Sequence, residues 1–564
     1  MKNKNNINSM LITDAYKLNH ILMYPEGTEY VYSNFIPRSG KYMGNIDSCV
    51  VFGIQYLIKE YLINHFNENF FALSENEAVE NYEKFLNSFL GKDPANVLGS
   101  EHIRSLHKLG YLPIEIRALE EGTKCPIGMP YFTIINTLPE FFWITNYLET
   151  LISNVLWLPA VSATTASIYK KELIKHLIKT GGMECCEPEF LIHDFSMRGM
   201  AGIDGTISSG MAHLTSFLGS ESIPAVVKAA EIYNDSNLDG VSLGIPASEH
   251  SIECSNANFG GFEEGFKVDE RAYIRRMLDQ FPEGNLSIVC DGFDFYNFVS
   301  IICTEFKDEI KNRNGRVVIR PDSGKPEDII AGSIPKYSEE EYCLSPYSKR
   351  FEVDKNGDIY YFIYEGDDKV WIVPSMEEQG VYEILWNTFG GKINNKGYKV
   401  LNPCIGVIYG DSITPERQKE IYRRLENKGF SATNLVLGIG SYTYQYKTRD
   451  SLGLAMKATW CKIKGQGKEL FKDPKTAIGM PKKSLRGLLG ITSLNGGNTY
   501  KCWTISEEDY NKNVVSDGFG NVFKDWLQPV FKDGKLLRET TLFKIRENIN
   551  SFIKEEIKQE GLLK

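Results

Sequence analysis

The chain has 564 residues, 42% hydrophobic, 12% aromatic and 24% charged, the balance of a folded globular protein and not of a disordered or fibrous one. Lys and Arg number 63 against 73 Asp and Glu, a net charge of −10, so no global attraction to nucleic acid or to an anionic membrane is expected. The 49 glycines and 22 prolines are too few for low-complexity sequence.

In chain order, the opening MKNKNNINSM is polar and lacks the apolar core of a secretory signal, and the 11 cysteines include no C-x-x-C pair. Reduced thiols in a cytoplasmic protein are therefore expected. From Glu29 to about Asn136, EYVYSNF (29–35) and LPIEIRAL (112–119) read as strands. In the second, Ile114, Ile116 and Ala118 alternate with Glu115 and Arg117, the pattern of a half-buried antiparallel sheet. Residues 50–89 have helical spacing, so the first domain is expected to be mixed α+β. The stretch from Thr150 to Tyr169 carries no formal charge and is long enough to span a bilayer. Its Asn154, Pro159 and run of Ser and Thr predict a buried segment of a globular domain instead.

From Phe190 to Gly440 the rhythm changes to short apolar runs that end in acids or glycines: FLIHDF (190–195), LSIVCD (286–291), RVVIRPD (316–322), CIGVIYGD (404–411) and NLVLGIG (434–440). Amphipathic helical stretches follow several of them. Continuous apolar strands alternating with helices predict a parallel sheet, as an α/β barrel or a doubly wound sheet, with ligands at the carboxyl ends of the strands. Asp194, Asp291, Asp322 and Asp411 fall at those ends. Residues of about 335–399 contain RFEVDKNGDIYYFIYEGDDKVWIVPS, a hairpin or meander inserted between two barrel strands. The expected division is 1–160 with 450–564 as an antiparallel-sheet domain and 161–449 as the barrel domain. The closing LFKIRENINSFIKEEIKQEG reads as a polar helix packing back on the first domain.

No G-x-x-x-x-G-K-[ST], H-E-x-x-H or Cys/His cluster occurs, which argues against a Walker-type nucleotide site and against a metal held by soft ligands. Gly438-Ile439-Gly440 reads either as a tight strand exit or as a phosphate cradle of backbone N–H groups. HDFSMRG (193–199) and IRPDSG (319–324) each set an Arg beside an Asp at a strand exit. Either alone fits a structural ion pair. Together with Asp291, YGD (409–411) and a glycine turn they suggest a phosphorylated, polyhydroxylated ligand, with Arg forks for phosphate oxygens and carboxylates for ribose hydroxyls or Mg²⁺.

TDAYKLNH (13–20), YSNFIPR (32–38), HDFSMRG, PASEHS (246–251), SIVCDGFD (287–294), IRPDSG, VIYGD, TRD (448–450) and FKDP (471–474) together resemble the nicotinate/nicotinamide phosphoribosyltransferase family, in the same order and over nearly the whole chain outside 335–399. The resemblance implies the irregular, TIM-like α/β barrel of the type II phosphoribosyltransferases with an antiparallel-sheet domain from both chain ends, and a homodimer with active sites at the interface. It implies transfer of phosphoribosyl from 5-phosphoribosyl 1-diphosphate to nicotinamide in NAD salvage, with Mg²⁺, and with ATP as co-substrate through a phosphohistidine at His250. Phe195, and Tyr16 from the partner chain with Asp14, would hold the pyridine ring. Arg198 and Arg320 would bracket the ring amide and the ribose 5-phosphate. Asp322 would hold the ribose hydroxyls, and Gly410, Asp411, Gly440 and Ser441 the phosphate. Arg38, Arg449, Lys457 and Lys472 would join Arg198, Arg320 and His250 around diphosphate or ATP phosphates, and Asp291 and Asp322 would orient metal-bound water or ribose.

Four positions depart from the family pattern: Glu221 stands where an Asp accepts from the nicotinamide NH₂, Ser196 and Met197 replace a Gly-aromatic pair, and Ser441 interrupts a glycine run. An acid at Glu221 still repels a nicotinate carboxylate, so nicotinamide is the expected substrate. The same chemistry on nicotinate, a non-catalytic nucleotide-binding protein on this scaffold, and an unrelated barrel enzyme acting on a sugar phosphate are the competing readings.

Overall fold

The computed structural model describes residues 7–91, 97–259, 268–333, 350–354, 359–410, 412–472, 485–494, 499–517 and 519–563. The chain divides into two compact units, Met1–Thr164 with Lys228–Asn237 and Lys447–Phe552, and Thr165–Val227 with Leu238–Tyr446 and Ile553–Lys564. Two short stretches thus change sides: 228–237 belongs with the chain ends, and the last residues belong with the middle of the chain.

The first unit is built on a seven-stranded antiparallel sheet in the order Gln466–Glu469, Ala455–Ile463, Thr28–Ile36, Phe132–Asn136, Ile114–Ala118, Gln528–Lys532, Lys535–Leu536. The alternation at 114–118 predicts one wet face, but all five residues are buried. The reason is a second layer over the charged face. Arg117 lies 3.6 Å from the Tyr510 ring centroid, donates to the Tyr510 carbonyl at 2.6 Å and pairs with Glu115, which also meets Lys532 at 3.1 Å. That layer continues into a cluster of Tyr32, Trp460, Leu488, Leu489, Ile505, Tyr510 and Val515. Polar residues that read as solvent-facing are therefore the satisfied middle of a sandwich.

The uncharged stretch from Thr150 lies in one long helix, Glu149–Thr180, long and apolar enough to cross a membrane, whose most apolar window is 78% buried. Helical turns also fill Ile54–Phe71 and Glu75–Phe89, the latter capped by Ser74, whose hydroxyl accepts from the Glu77 N–H.

The second unit is a mixed α/β fold around a parallel half-barrel sheet. Six strands run in the order Leu286–Val289, Val317–Arg320, Ile405–Tyr409, Leu435–Ile439, Ile192–Asp194, Gly219–Ser220, each pair parallel. Five of them are the apolar runs read from sequence. The sixth, Gly219–Ser220, is too short to leave a periodic trace. Isolated parallel bridges join Gly219 to Leu243 and Ala247 to Ser287, so the segment 243–247 touches both edge strands. Helices follow the strands with legible starts. Asp294 caps Phe295–Thr304, and Thr414 with Pro415 opens Pro415–Asn427, the Thr414 hydroxyl accepting from the Arg417 N–H.

Within the insertion, Arg350–Val353, Ile359–Glu365 and Asp368–Ile372 form a three-stranded antiparallel meander. It is shorter than 335–399: Met376–Phe389 is a helix with a capping box at Ser375 and Glu378, and 391–401 is a separate strand pair. Residues 334–349 lie outside the described residues.

Candidate functional site at the carboxyl rim

Each strand of the parallel sheet delivers side chains to one rim. Phe195 follows strand Ile192–Asp194, and its N–H donates to the Ile439 carbonyl at 2.9 Å. A Cβ built on Gly438 would fall 2.4 Å from Phe195 Cδ2, and one on Gly410 3.4 Å from the same atom. The ring thus lies directly against Gly438 of the neighbouring strand, which no side chain could replace without moving it, and within van der Waals reach of Gly410. Gly438 is needed for that approach; Gly440 has open space around it. Ser441 lies beside Gly199, where a Cβ would fall 2.0 Å from the Ser441 hydroxyl, so the serine packs against the turn Met197–Gly199 that carries exposed Arg198.

Glu221 follows Gly219–Ser220, its N–H donating to the Asp194 carbonyl at 3.0 Å. Partial burial raises its carboxyl above the ordinary value, Arg320 opposes this and the Asp194 charge adds to it. Arg320 ends its own strand, and its Nε is buried without a hydrogen-bond partner. Such an orphaned cationic donor fits an anionic or carbonyl oxygen of a ligand. Asp322 Oδ1 lies 3.3 Å from where a Gly410 Cβ would be, and the Tyr409 hydroxyl fixes the same turn by donating to the Gly324 carbonyl at 2.9 Å.

His250 opens the short helix His250–Asn256. Its Nε2 meets Asp291 Oδ1 at 3.1 Å, and Asp291 Oδ2 accepts the Asp322 N–H at 2.9 Å. Glu249, the sequence neighbour, instead accepts from the Ser251 hydroxyl. Burial pushes the Asp291 carboxyl up, but hydrogen bonds from Ser323, the Asp322 N–H and His250 together hold it below its ordinary value. The His250 side chain is 45% exposed and that of Asp291 3%. The imidazole can therefore meet a ligand while its orienting carboxylate stays dry.

Sequence reasoning missed the layer beneath. Glu253 is fully buried, accepts the Gly292 N–H at 3.0 Å and is pushed up to about 8 by burial and then by the charges of Glu270 and Asp291. Glu270 is pushed up to about 7, chiefly by burial. Neither acid belongs to a recognisable motif, and only the folded chain makes them neighbours.

The remaining expected residues lie in the first unit. Asp14 accepts from the Thr150 hydroxyl at 2.9 Å, and Tyr16 is 60% exposed, edge-on to His20. Arg38 donates through Nε to the Gly453 carbonyl at 2.8 Å, and Arg449 lies in the turn Arg449–Ser451. Lys457 is lowered by burial, opposed by Glu149, and lowered further by Arg38, Lys472 and Lys17. Four cations thus share one neighbourhood, although Lys17 is already paired with Glu149 at 2.5 Å. Lys17 is an addition that the TDAYK motif could have signalled. Asp411 lies outside the described residues. Among the described residues no group of three or more His, Cys, Asp or Glu is placed to hold a metal ion.

A parallel sheet that gathers an aromatic ring, arginines, acids and glycines at its carboxyl ends defines an α/β protein whose rim is the place where such sheets bind small molecules. The Nicotinate phosphoribosyltransferase (NAPRTase) family matches residues 190–534, and the Nicotinamide phosphoribosyltransferase, N-terminal domain matches residues 8–116. The chain is 38% identical over 557 residues to the nicotinamide phosphoribosyltransferase of Acinetobacter baylyi, covering 96% of this chain and 97% of that one. It is 30% identical over 478 residues to that of Mycoplasma pneumoniae, covering 83% and 92%. The crystal structure of human nicotinic acid phosphoribosyltransferase has the same fold, with a TM-score of 0.54 at 15% identity over 96% of this chain and 93% of that one. The chain belongs to the nicotinate phosphoribosyltransferase family.

Proposed function

We propose that the chain is a nicotinamide phosphoribosyltransferase. It moves the phosphoribosyl group of 5-phosphoribosyl 1-diphosphate to the ring nitrogen of nicotinamide, giving nicotinamide mononucleotide and diphosphate for NAD salvage. The observation that carries this reading is the rim itself, where Phe195, Glu221, Arg320, Asp322 and the His250–Asp291 pair converge in a chain so extensively similar to the Acinetobacter enzyme.

The C1–O bond to diphosphate breaks as the N–C1 bond forms, and positive charge builds on the ribose ring. The pyridine nitrogen is already a nucleophile, so positioning and charge stabilisation supply most of the rate. Phe195, held flat by its glycine floor, stacks on the ring. Glu221 accepts from the amide NH₂ and repels a carboxylate, which weighs against nicotinate as the preferred substrate. Arg320 and Arg198 take anionic oxygens, and Asp322 holds ribose, with Gly410, Gly440 and Ser441 at the phosphate.

Mg²⁺ would arrive with the diphosphate and neutralise the leaving group. Both Asp291 oxygens are engaged, so Asp291 would act through water and Asp322 is the more open ligand. His250 is the phosphoacceptor for ATP coupling. With Nε2–H donated to Asp291, Nδ1 is the nucleophile.

At the scale of the molecule, we assign an irregular closed barrel, supported by the two bridges of segment 243–247, in a cytoplasmic homodimer. Asp14, Tyr16, Arg38, Arg449, Lys457 and Lys472 of one chain complete the site of the other, a reading supported by the exposed Tyr16 ring and the gathered cations.

Product formation from phosphoribosyl diphosphate and Mg²⁺, with nicotinamide or nicotinate and with or without ATP, tests the assignment. Preferential nicotinamide mononucleotide, enhanced by ATP, is expected. Preference for nicotinate moves the chain to the sister activity, and no product from either leaves a binding protein.

A further inference from the structure

Asp194 has no role in the reading above, yet it ties together the two segments that carry Phe195 and Glu221. It ends strand Ile192–Asp194 and is 0% exposed. Its Oδ1 accepts the Ser196 N–H at 2.9 Å, closing the turn that presents Phe195. Its Oδ2 lies 3.4 Å from the Ser220 hydroxyl, and its backbone carbonyl accepts the Glu221 N–H at 3.0 Å. Ser220 in turn accepts the Ser222 N–H at 3.1 Å, fixing the far side of Glu221. Asp194 and Ser220 are direct partners in the strand register, and Asp194 is also opposite Ile439, whose carbonyl holds Phe195. Room for the carboxylate is made by Gly210, where a Cβ would fall 3.3 Å from Asp194 Oδ2 and 2.4 Å from Ala225 Cβ.

Burying a carboxylate costs several kcal/mol unless donors surround it. Asp194 receives a backbone N–H and a hydroxyl, both from segments that carry ring-facing residues and not from a helix or strand interior. A neutral side chain could fill this space at lower cost if packing were the only requirement. The residue serves the relation between two neighbouring loops.

We propose that Asp194 is a positioning residue that fixes the spacing between the ring floor at Phe195 and the amide-reading acid Glu221, and so sets the choice between nicotinamide and nicotinate. The inference rests on the functional reading for its substrate, but its geometric part stands without it. The longer reach of Glu221 relative to an Asp makes such control more consequential, because one added methylene lets the carboxylate swing unless its backbone is held at a defined height above the ring. Electrostatically, Asp194 and Arg320 act on Glu221 in opposite senses.

The test compares wild type with Asp194→Asn, which keeps the shape and one acceptor, and Ser220→Ala, which removes only the hydroxyl. For Asp194→Asn, the KM for nicotinamide is expected to rise about tenfold, the scale of one lost hydrogen bond to a charged acceptor. The kcat/KM ratio of nicotinamide to nicotinate should fall by a similar factor, while the KM for phosphoribosyl diphosphate stays within about twofold. Ser220→Ala should move the same two quantities in the same direction by less. The double variant should lose less than the product of the two, because both act through one contact.

A wild-type nicotinamide KM and selectivity in Asp194→Asn would overturn the proposal, as would equal losses for both substrates accompanied only by a lower melting temperature. Crystal structures of the two proteins without substrate give a readout independent of activity. A Glu221 backbone displaced relative to Phe195 in the variant is expected, and superimposable loops count against the idea. If wild type makes product from neither substrate, the functional reading fails, and the displaced or unmoved loops still decide the positioning role.

Discussion

In the proposed function, Glu221 is the residue whose chemistry most directly divides the two substrates. Burial raises its carboxyl, Arg320 pulls it back and Asp194 adds to the rise. Above that raised value the acid is charged, repels a carboxylate and accepts from an amide; below it the neutral form does neither as strongly. The preference for nicotinamide over nicotinate should therefore be full at high pH and shrink as pH falls through the Glu221 value. Ratios of kcat/KM measured from ~pH 5 to ~8 check this, and a ratio independent of pH counts against it. Glu221→Gln should flatten the same curve. His250→Ala is expected to abolish ATP stimulation while leaving ATP-independent transfer, measured as nicotinamide mononucleotide formed with and without ATP. At this scale the sequence made the motif residues legible, because each sits in a short polar string at the end of an apolar run. The Asp291 partner of His250 is 41 residues away, and no spacing rule joins them.

Elements explain why some readable patterns misled. The alternation at 114–118 is real, yet Glu115 and Arg117 are inside, because the segment around Tyr510 covers the polar face. Arg117→Ala would leave Glu115 with only Lys532 and the Tyr510 hydroxyl as partners, at a cost of about 1–3 kcal/mol read as a lowered thermal midpoint. An unchanged midpoint would mean that the covering layer contributes nothing. In the parallel sheet, the glycine of the Leu435–Ile439 strand yields the companion prediction. Gly438→Ala must displace the Phe195 ring, so the KM for nicotinamide should rise more than that for phosphoribosyl diphosphate, with roughly 1–3 kcal/mol of lost stability from overpacking. Sequence could identify the Gly-Ile-Gly run but not which glycine matters, since that depends on a ring delivered by another strand.

For the molecule as a whole, stability and assembly are the measurable consequences. Glu253 is pushed up to about 8 from 4.5 in the folded chain, so it holds its proton more tightly folded than unfolded. Its contribution is complete below about 4.5 and is lost as pH rises through about 8. Glu253→Gln, which keeps an acceptor for the Gly292 N–H, should melt closer to wild type at low pH and gain on it near pH 8, followed by calorimetry across that range. For the proposed dimer, separately inactive Tyr16→Ala and Asp322→Asn chains mixed in equal amounts should regain about a quarter of the intact sites if each site draws on both chains. No recovery after exchange would place every essential group in one chain.

The segment 243–247 has a meaning beyond catalysis. Open sheet edges are templates for unwanted pairing with other chains, and here one five-residue stretch occupies both, through Gly219 on one side and Ser287 on the other. Three residues later the chain reaches His250, so the site that ATP would modify hangs from the clasp that keeps two edges covered. Opening this loop would uncover adhesive backbone, so ligands that steady His250 should slow precipitation at temperatures well below global unfolding.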